Sequence, residues 1–205
     1  MKQTTFQSGY PIVPRTEVDF DLDGDIPRHW FGGDAFKSRF FDAMSTLFPE
    51  GEKFFITCVR DYRDQITDPE LQQQVKDFMR QEAQHGRIHK QFNDRLQAQG
   101  IRVDRIEANT RDILARIRRL MPALFTLAQT AAAEHMTSIM AHSFFERQEA
   151  FASADERIRA MYIWHGVEEI EHKAVAYEVL KNVAKAGYFL RVGVMLYTSL
   201  MFPLH

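Results

Sequence analysis

The chain has 205 residues, a formal net charge of −2 and a hydrophobic fraction of 45%, which suit one globular domain with a full core. Basic and acidic residues are interleaved, so the chain lacks the electrostatic footprint of a nucleic-acid-binding protein. A single cysteine, Cys58, excludes an internal disulfide and a thiolate cluster and favours a cytoplasmic location.

The first 28 residues predict an extended arm. They contain Pro11, Pro14 and Pro27 together with an acidic patch, and no helical or strand period is sustained there. No apolar run long enough for a signal peptide follows Lys2. After this arm we expect a helical bundle over residues 34–187, on the helical pattern described next.

Apolar residues at steps of three and four predict helices along the rest of the chain. Pro49 suits a first helical position, Gly100 a stop, and Ser153-x-x-Glu156 a capping box. No segment predicts a strand, so the predicted fold class is all-α. The helices are expected at about 36–48, 49–66, 67–99, 108–120, 122–150 and 153–187.

Four of these helices carry acidic or imidazole side chains on the apolar face, at positions where the period predicts a residue such as leucine. Two of them hold a carboxylate and an imidazole one turn apart, Glu82-x-x-His85 and Glu169-x-x-His172. The helices of 49–66 and 122–150 each hold one carboxylate on this apolar face, Glu52 and Glu134. Burying such groups costs several kcal/mol per charge unless something pairs with them.

A divalent cation is the simplest partner for these side chains, although buried Glu–His hydrogen bonds or a wet surface remain an alternative. One Glu from each of two helices and a Glu-x-x-His from each of two others is the ligand arrangement of dimetal carboxylate bundles. The pattern therefore predicts a ferritin-like four-helix bundle with extra short helices and two divalent metal ions. We expect Glu82 and Glu169 to bridge the metals, with terminal ligands from Glu52, Glu134, His85 and His172.

The metals are expected to be iron, with manganese or zinc as alternatives, because the donors are oxygen and nitrogen. His89 and His165 lie on the same helical faces, each four residues from a predicted ligand. Each is an additional ligand, a partner of a ligand or a proton shuttle, or else a core histidine. Tyr62 points inward on the first ligand helix and is a candidate hydrogen-bond donor or a core residue.

Several segments also resemble a bacterial family described as predicted metal-dependent hydrolases. They are IPRHW at 26–30, FPEGEKFF at 48–55, QEAQH at 81–85, WH at 164–165 and EEIEHK at 168–173. The resemblance spans nearly the whole chain and implies metal-dependent hydrolysis, although nothing in these motifs requires it.

Three functions follow from the predicted site. The main expectation is a non-haem di-iron oxidase or oxygenase that uses dioxygen to oxidise a small substrate. The alternative is a hydrolase with a metal-activated water. The third is iron storage or a structural metal site.

The segment 188–205 is almost entirely apolar, with Arg191 as its one charged residue. We expect a last helix that packs on the core, attaches this cytoplasmic protein to a membrane surface or forms a homodimer contact. The run is just under the length of a membrane span.

Overall fold

The structure is a computed structural model that describes residues 11–202, apart from the side chains of Gln148 and Ala150. The first ten residues of the predicted arm lie outside this range, and residues 11–28 contain no helix or strand. Over the described range the only β-type pairing is an isolated bridge between Phe31 and Ala154. The predicted all-α class is confirmed.

Seven α-helices and three short turns of other helix types make up this part of the chain. The helices are α1 Ala35–Arg60, α2 Pro69–Ala98, α3 Val103–Leu120, α4 Ala123–Glu146, α5 Glu156–His172, α6 Val175–Glu178 and α7 Tyr188–Met201. The turns are 3₁₀ at Arg63–Gln65 and Gln148–Phe151 and π-helical at Val179–Val183.

Helices α1 and α2 form an antiparallel pair. Ser45 bonds Asn93 near the start of α1 and the end of α2, and further along α1 Glu52 lies beside Gly86. A Cβ atom at residue 86 would be 3.3 Å from the Glu52 carboxylate. The missing side chain therefore lets the two helices approach closely where Glu52 faces α2.

Helix α5 runs antiparallel to α2. His165 bonds His89, and about two turns further along α5 His172 bonds Gln81. Helix α5 therefore points the same way as α1.

Helix α3 is a crossover on the outside of the bundle. It runs parallel to α1, since Arg111 pairs with Glu50 and Arg118 with Asp61, and Val103 is its one buried residue. The chain reverses after α3, so α4 runs in the same direction as α2. The four helices that carry the predicted ligands, α1, α2, α4 and α5, are thus joined by short turns except for this one long crossover.

The core consists of two apolar clusters, one at each end of a polar layer. One contains Phe92 and Tyr162. The other contains Phe78, Leu127 and Val179. Residues 82–89 of α2 and 165–172 of α5 lie between these levels, so the predicted ligands are enclosed by the packed ends of the bundle.

Helix α1 continues through Pro49, so the prediction of two separate helices over 36–66 is wrong, as is a helix end at Ile66. Proline has no N–H to donate to the carbonyl four residues earlier, which belongs to Ser45. That carbonyl instead accepts from Asn93 Nδ2 at 3.0 Å. A side chain of α2 thus replaces the missing helix bond and removes much of the cost of the proline.

The predicted end of the last ligand helix is also wrong. Helix α5 stops at His172, and a short α6 and a π-helical turn follow before residue 187. Its N-cap is Asp155, whose carboxylate accepts from the N–H of Arg157 at 3.0 Å, rather than Ser153. Elsewhere α3 begins at Val103 instead of 108, and α4 ends at Glu146 instead of 150.

The expectation of membrane attachment through the C-terminal segment is wrong. Helix α7 has 14 residues, about 21 Å at ~1.5 Å per residue, against a bilayer core of about 30 Å. Within residues 11–202 no helix is long and apolar enough to cross a membrane. Part of α7 packs on α4, with Val194 and Thr198 buried and the Phe125 and Tyr197 rings 5.9 Å apart.

Candidate metal centre

All six predicted ligands are buried and lie in one polar layer of the bundle. Their exposed fractions do not exceed 5%. Three overlapping groups of donor atoms fall within 4.8 Å of one another. The groups are Glu52, His85 and His165; Glu82, His85 and Glu169; and Glu82, Glu134 and His172.

At one end of the layer His172 Nε2 faces three carboxylates. It lies 3.1 Å from Glu82 Oε1, 3.2 Å from Glu134 Oε2 and 3.5 Å from Glu169 Oε1. These side chains come from α5, α2 and α4. Three helices therefore supply one pocket of nitrogen and oxygen donors.

At the other end two imidazoles face the same Glu169 oxygen. His85 Nδ1 lies 3.6 Å and His165 Nε2 3.1 Å from Glu169 Oε1. Glu52 Oε1 lies 3.7 Å from His165 Nε2, and Glu82 Oε1 lies 3.7 Å from His85 Nδ1. Glu169 and Glu82 thus occupy the middle of the layer and face both ends.

Many of these buried polar atoms have no hydrogen-bond partner. Such atoms are rare in folded proteins because each carries a desolvation cost of about 1–3 kcal/mol, and more when charged. His172 Nε2 lies within hydrogen-bond distance of Glu82 and Glu134 but without hydrogen-bond angles, so a network of Glu–His hydrogen bonds does not satisfy these atoms. The atoms are both carboxylate oxygens of Glu52, Glu82 and Glu134, Nδ1 of His85 and Nε2 of His172.

Two of the four carboxyl groups have raised pKa values and two have lowered ones. Burial, followed by the charge of Glu82, raises the pKa of Glu134 to about 8 and that of Glu52 well above its usual value. Burial also opposes ionisation of Glu82 and Glu169, but the neighbouring His172 holds the pKa of each below its usual value. Four carboxylates this close cannot all ionise without added positive charge.

The imidazoles supply part of that positive charge. Burial opposes protonation of His85, but its hydrogen bond to Glu168 and the nearby carboxylate of Glu82 raise its pKa to about 10. His172 is raised well above its usual value despite burial, because Glu169 and Glu134 lie close to it. Protons balance the acids in the metal-free protein, and divalent cations would replace them in the same positions.

Each Glu-x-x-His histidine is held by the residue that precedes the motif on the opposite helix. His85 Nε2 donates to Glu168 Oε2 at 3.0 Å, and His172 Nδ1 donates to Gln81 Oε1 at 2.9 Å. These bonds leave His85 Nδ1 and His172 Nε2 directed at the acidic layer. Metal-binding histidines are usually oriented in this way by a bond from the other ring nitrogen.

Arg15, from the N-terminal arm, joins the supports of both histidines. Its guanidinium donates to Glu168 Oε1 at 3.0 Å and to the two oxygens of Glu171 at 2.7 and 3.1 Å. Glu171 in turn accepts from Gln81 Nε2 at 2.9 Å. The arm therefore covers the bundle beside the site and links both halves of it.

A chain of hydrogen bonds fixes the tautomer of His165. Asn93 Nδ2 donates to a carbonyl, so its Oδ1 accepts from the Ser45 hydroxyl at 2.8 Å. The Ser45 oxygen then accepts from His89 Nδ1 at 2.8 Å, and His89 Nε2 accepts from His165 Nδ1 at 2.7 Å. The remaining nitrogen of His165, Nε2, carries a lone pair.

That lone pair faces Glu169 Oε1 at 3.1 Å. A lone pair and an ionised carboxylate repel each other unless a proton or a cation lies between them. Burial and the nearby His85 lower the pKa of His165, and burial followed by His165 lowers that of His89. Both rings are therefore neutral, and the arrangement suits a cation bound by His165 and Glu169.

The other predicted site residues divide between the layer and its surroundings. His165 joins a donor group, whereas His89 lies behind it and bonds Ser45. Tyr62 packs against the apolar cluster of Phe78 and Leu127, and no hydrogen bond within residues 11–202 links it to the acidic layer. Of its two predicted roles the structure favours the core one.

The sequence did not identify Gln81 or Arg15 as part of this site. A signal for Gln81 and Glu168 was available, since each lies four residues before the histidine of a motif and directly before its glutamate. Glu168 and Glu171 flank the second motif, and both are buried supports. Arg15 carries no local signal, because its partners are more than 150 residues away.

A small cavity of about 30 Å³ reaches the layer between α4 and α5. His165 and Glu169 form its inner side, and its walls are mainly apolar, with Met44, Phe48 and Met140. The donor set is thus enclosed except for a narrow, hydrophobic approach.

A buried cluster of glutamates and histidines in an all-helical bundle defines a helical metal-binding protein. The chain belongs to the family described as predicted metal-dependent hydrolase, whose model matches residues 14–205. This confirms the family predicted from the sequence and supports dependence on a divalent metal without identifying it. The chain matches no curated protein and no solved structure.

Proposed function

We propose that the protein is an enzyme with a pair of divalent metal ions in this layer. The observation that carries the proposal is the set of buried, unpartnered donor atoms from four helices. Glu82 and Glu169 would bridge the ions, with His85 and Glu52 at one end and His172 and Glu134 at the other. His165 would be a seventh donor, because its free lone pair faces the same layer.

The proposed superfamily is that of ferritin-like dimetal carboxylate proteins. The support is topological: the four ligand-bearing helices are connected with one long crossover, which α3 supplies, and ferritin-like bundles have one such connection. Fold alone does not define a reaction; the donor atoms and the approach to them limit the possible reactions more closely.

The donor set fits iron, with manganese and zinc as alternatives. It consists of carboxylate oxygens and imidazole nitrogens, and the one cysteine, Cys58, is not among the grouped donors. Bound there, a metal pair would supply Lewis acidity and, in the case of iron, electrons for dioxygen.

The first candidate reaction is the dioxygen-dependent oxidation of a small, apolar substrate. Carboxylate-rich ligation favours higher metal oxidation states, and the approach to the layer is hydrophobic. Insertion of one oxygen atom takes two electrons from the substrate. Reduction of the second oxygen atom to water requires two protons and two electrons from an external reductant such as a reduced flavin or iron–sulfur protein.

The chain's own groups have defined tasks in such a reaction. The apolar ends of the bundle exclude bulk water from the layer. His89 and Ser45 hold the His165 proton on Nδ1, away from the donors. Gln81 and Glu168 orient His172 and His85.

Hydrolysis by a metal-activated water is the second candidate. The family description supports it, whereas the comparisons give no support to an oxidase. A pair of ions could also clamp a carbonyl or phosphoryl oxygen. Iron storage or a structural metal role is the third candidate, and it predicts bound metal without turnover.

These proposals share the claim that the protein binds two metal ions. Elemental analysis of protein purified without added metal tests this claim, and about two ions per chain are expected. Glu169→Ala should lose at least one ion, whereas Glu146→Ala, an exposed glutamate on α4, should lose none. Equal metal content in wild type and Glu169→Ala would refute the site.

Two assays separate the reactions. Accelerated dioxygen consumption by the ferrous-loaded protein would support oxidation. Turnover of ester or phosphoester substrates with zinc or manganese, lost in Glu82→Ala, would support hydrolysis instead. If the protein binds two ions but shows neither activity, the storage or structural role remains.

A further inference from the structure

A second, larger cavity opens on the surface beside the small one. Its volume is about 400 Å³, within the range of roughly 300–1,000 Å³ typical of small-ligand pockets. It lies between the end of α4, the 3₁₀ turn that follows and the first half of α5. Its main apolar walls are Phe144, Phe145, Phe151 and Ile163.

This cavity leads toward the metal layer. It shares Ala141, Phe144, Tyr162 and Gly166 with the small cavity that His165 and Glu169 line. Gly166 stands at the junction, where a Cβ atom would lie only 3.3 Å from the Cβ of Ala141. Because glycine has no side chain, the narrow space between α4 and α5 stays open at this point.

Arg159 is the one charged side chain among the described residues that line the large cavity. It is half-buried, and within residues 11–202 no carboxylate forms an ion pair with it. The neighbouring Arg157, by contrast, is paired with Asp155 and Asp21. A partly buried guanidinium in apolar surroundings favours an anionic partner, and carboxylates match its geometry.

We propose that this cavity is the substrate site and that it takes a monocarboxylic acid with an apolar body. The carboxylate pairs with Arg159, and the hydrocarbon packs among the phenylalanine rings. The far end of the molecule then reaches Gly166 and the metal layer. The identity of the site as a substrate site rests on the proposed function, whereas the binding itself does not.

The length of the ligand follows from helix α5. Arg159 and Gly166 are seven residues apart, which is about 10 Å along the axis at ~1.5 Å per residue. A medium-length chain such as decanoate spans this distance, and acetate does not. The distance between Arg159 and Gly166 thus selects the length of the ligand, as Arg159 selects its charge.

Calorimetric titration of the full chain as purified, with decanoate, decan-1-ol and acetate in turn, tests the proposal. Decanoate should bind at one site per chain, decan-1-ol at least ten-fold more weakly and acetate not at all. Arg159→Met, which retains the apolar stem, should weaken decanoate binding by about ten- to hundred-fold, the range of a charged hydrogen bond. Arg116→Met, an exposed arginine on α3, is the matched control and should change nothing.

A second pair of variants keeps the test informative if Arg159→Met folds poorly. Ile163 lines the cavity and is 45% exposed, whereas Ile139 is 48% exposed on α4 outside it. Ile163→Asp should weaken decanoate binding about ten-fold through like-charge repulsion, and Ile139→Asp should not. Equal binding of decanol and decanoate, or equal effects of the two aspartates, would overturn the proposal.

Metal content is measured on the same samples. Two ions per chain without decanoate binding would refute this inference and leave the metal site standing. Arg159-dependent binding without metal would refute the proposed function and leave the carboxylate site.

Discussion

Removing Arg15 tests the idea that the N-terminal arm supports both metal positions. Three hydrogen bonds from Arg15 reach these glutamates, one to Glu168 and two to Glu171, at 2.7–3.1 Å. Its side chain is 35% exposed, while that of Glu168 is fully buried. Arg15→Ala should therefore loosen two buried supports at once without touching a metal ligand.

The expected magnitude follows from the distance between Arg15 and the ligands. Loss of a group that bonds directly to a ligand typically costs 10–100-fold in metal affinity. Arg15 acts one contact further out, through Glu168 on His85 and through Glu171 and Gln81 on His172. We therefore expect Arg15→Ala to weaken metal binding at each position by about ten-fold, or ~1.4 kcal/mol, which is the lower end of that range.

The assay is competition for the metal with a chelator of known affinity, read as two dissociation constants per chain. Arg15→Lys retains the charge but not the forked geometry, so it should fall between wild type and Arg15→Ala. Arg157→Ala is the matched control, because Arg157 binds the carbonyl of Asp25 in the arm but neither Glu168 nor Glu171. Unchanged affinity in Arg15→Ala, or an equal loss in Arg157→Ala, would refute the reasoning.

Three further predictions concern the layer itself. His165→Gln should reduce metal content at one position and leave the other occupied, as measured by elemental analysis; full retention of both ions would exclude it as a ligand. Because Glu134 has a pKa of about 8 and His85 one of about 10, both carry protons at pH 7 that metal binding must displace. Affinity should therefore fall as pH falls, with net proton release in calorimetry in buffers of different ionisation enthalpy; binding without proton release would contradict this. Asn93→Leu should lower the free energy of unfolding, measured in urea, by about 1–3 kcal/mol. Adding Pro49→Ala should recover part of this loss, because alanine restores the helix bond to the Ser45 carbonyl. If the effects of the two substitutions were strictly additive, Asn93 would not be compensating for Pro49.

The candidate ligands could be selected from the sequence because their signal is local. Glu82, His85, Glu169 and His172 stand where a helical period predicts apolar residues, and such a mismatch is visible in one sequence. Glu52 and Glu134 followed from the same argument. The structure places all six in one buried layer.

Other features depend on contacts between distant parts of the chain and leave no local trace. Pro49 predicted a helix start, because nothing nearby indicates that Asn93 compensates for its missing N–H. The break after His172 interrupts a stripe that remains apolar beyond it, so the period did not reveal it. Residues 188–201 have the composition of a membrane segment but not the length.

The two histidine supports occupy equivalent places but differ in charge. His85 donates to the carboxylate of Glu168, whereas His172 donates to the neutral amide of Gln81. A carboxylate partner increases the basicity of a ligating imidazole more than an amide does. Two ions held here would therefore be electronically inequivalent, even if they were the same element, and stepwise loading should fill the half around His85 first.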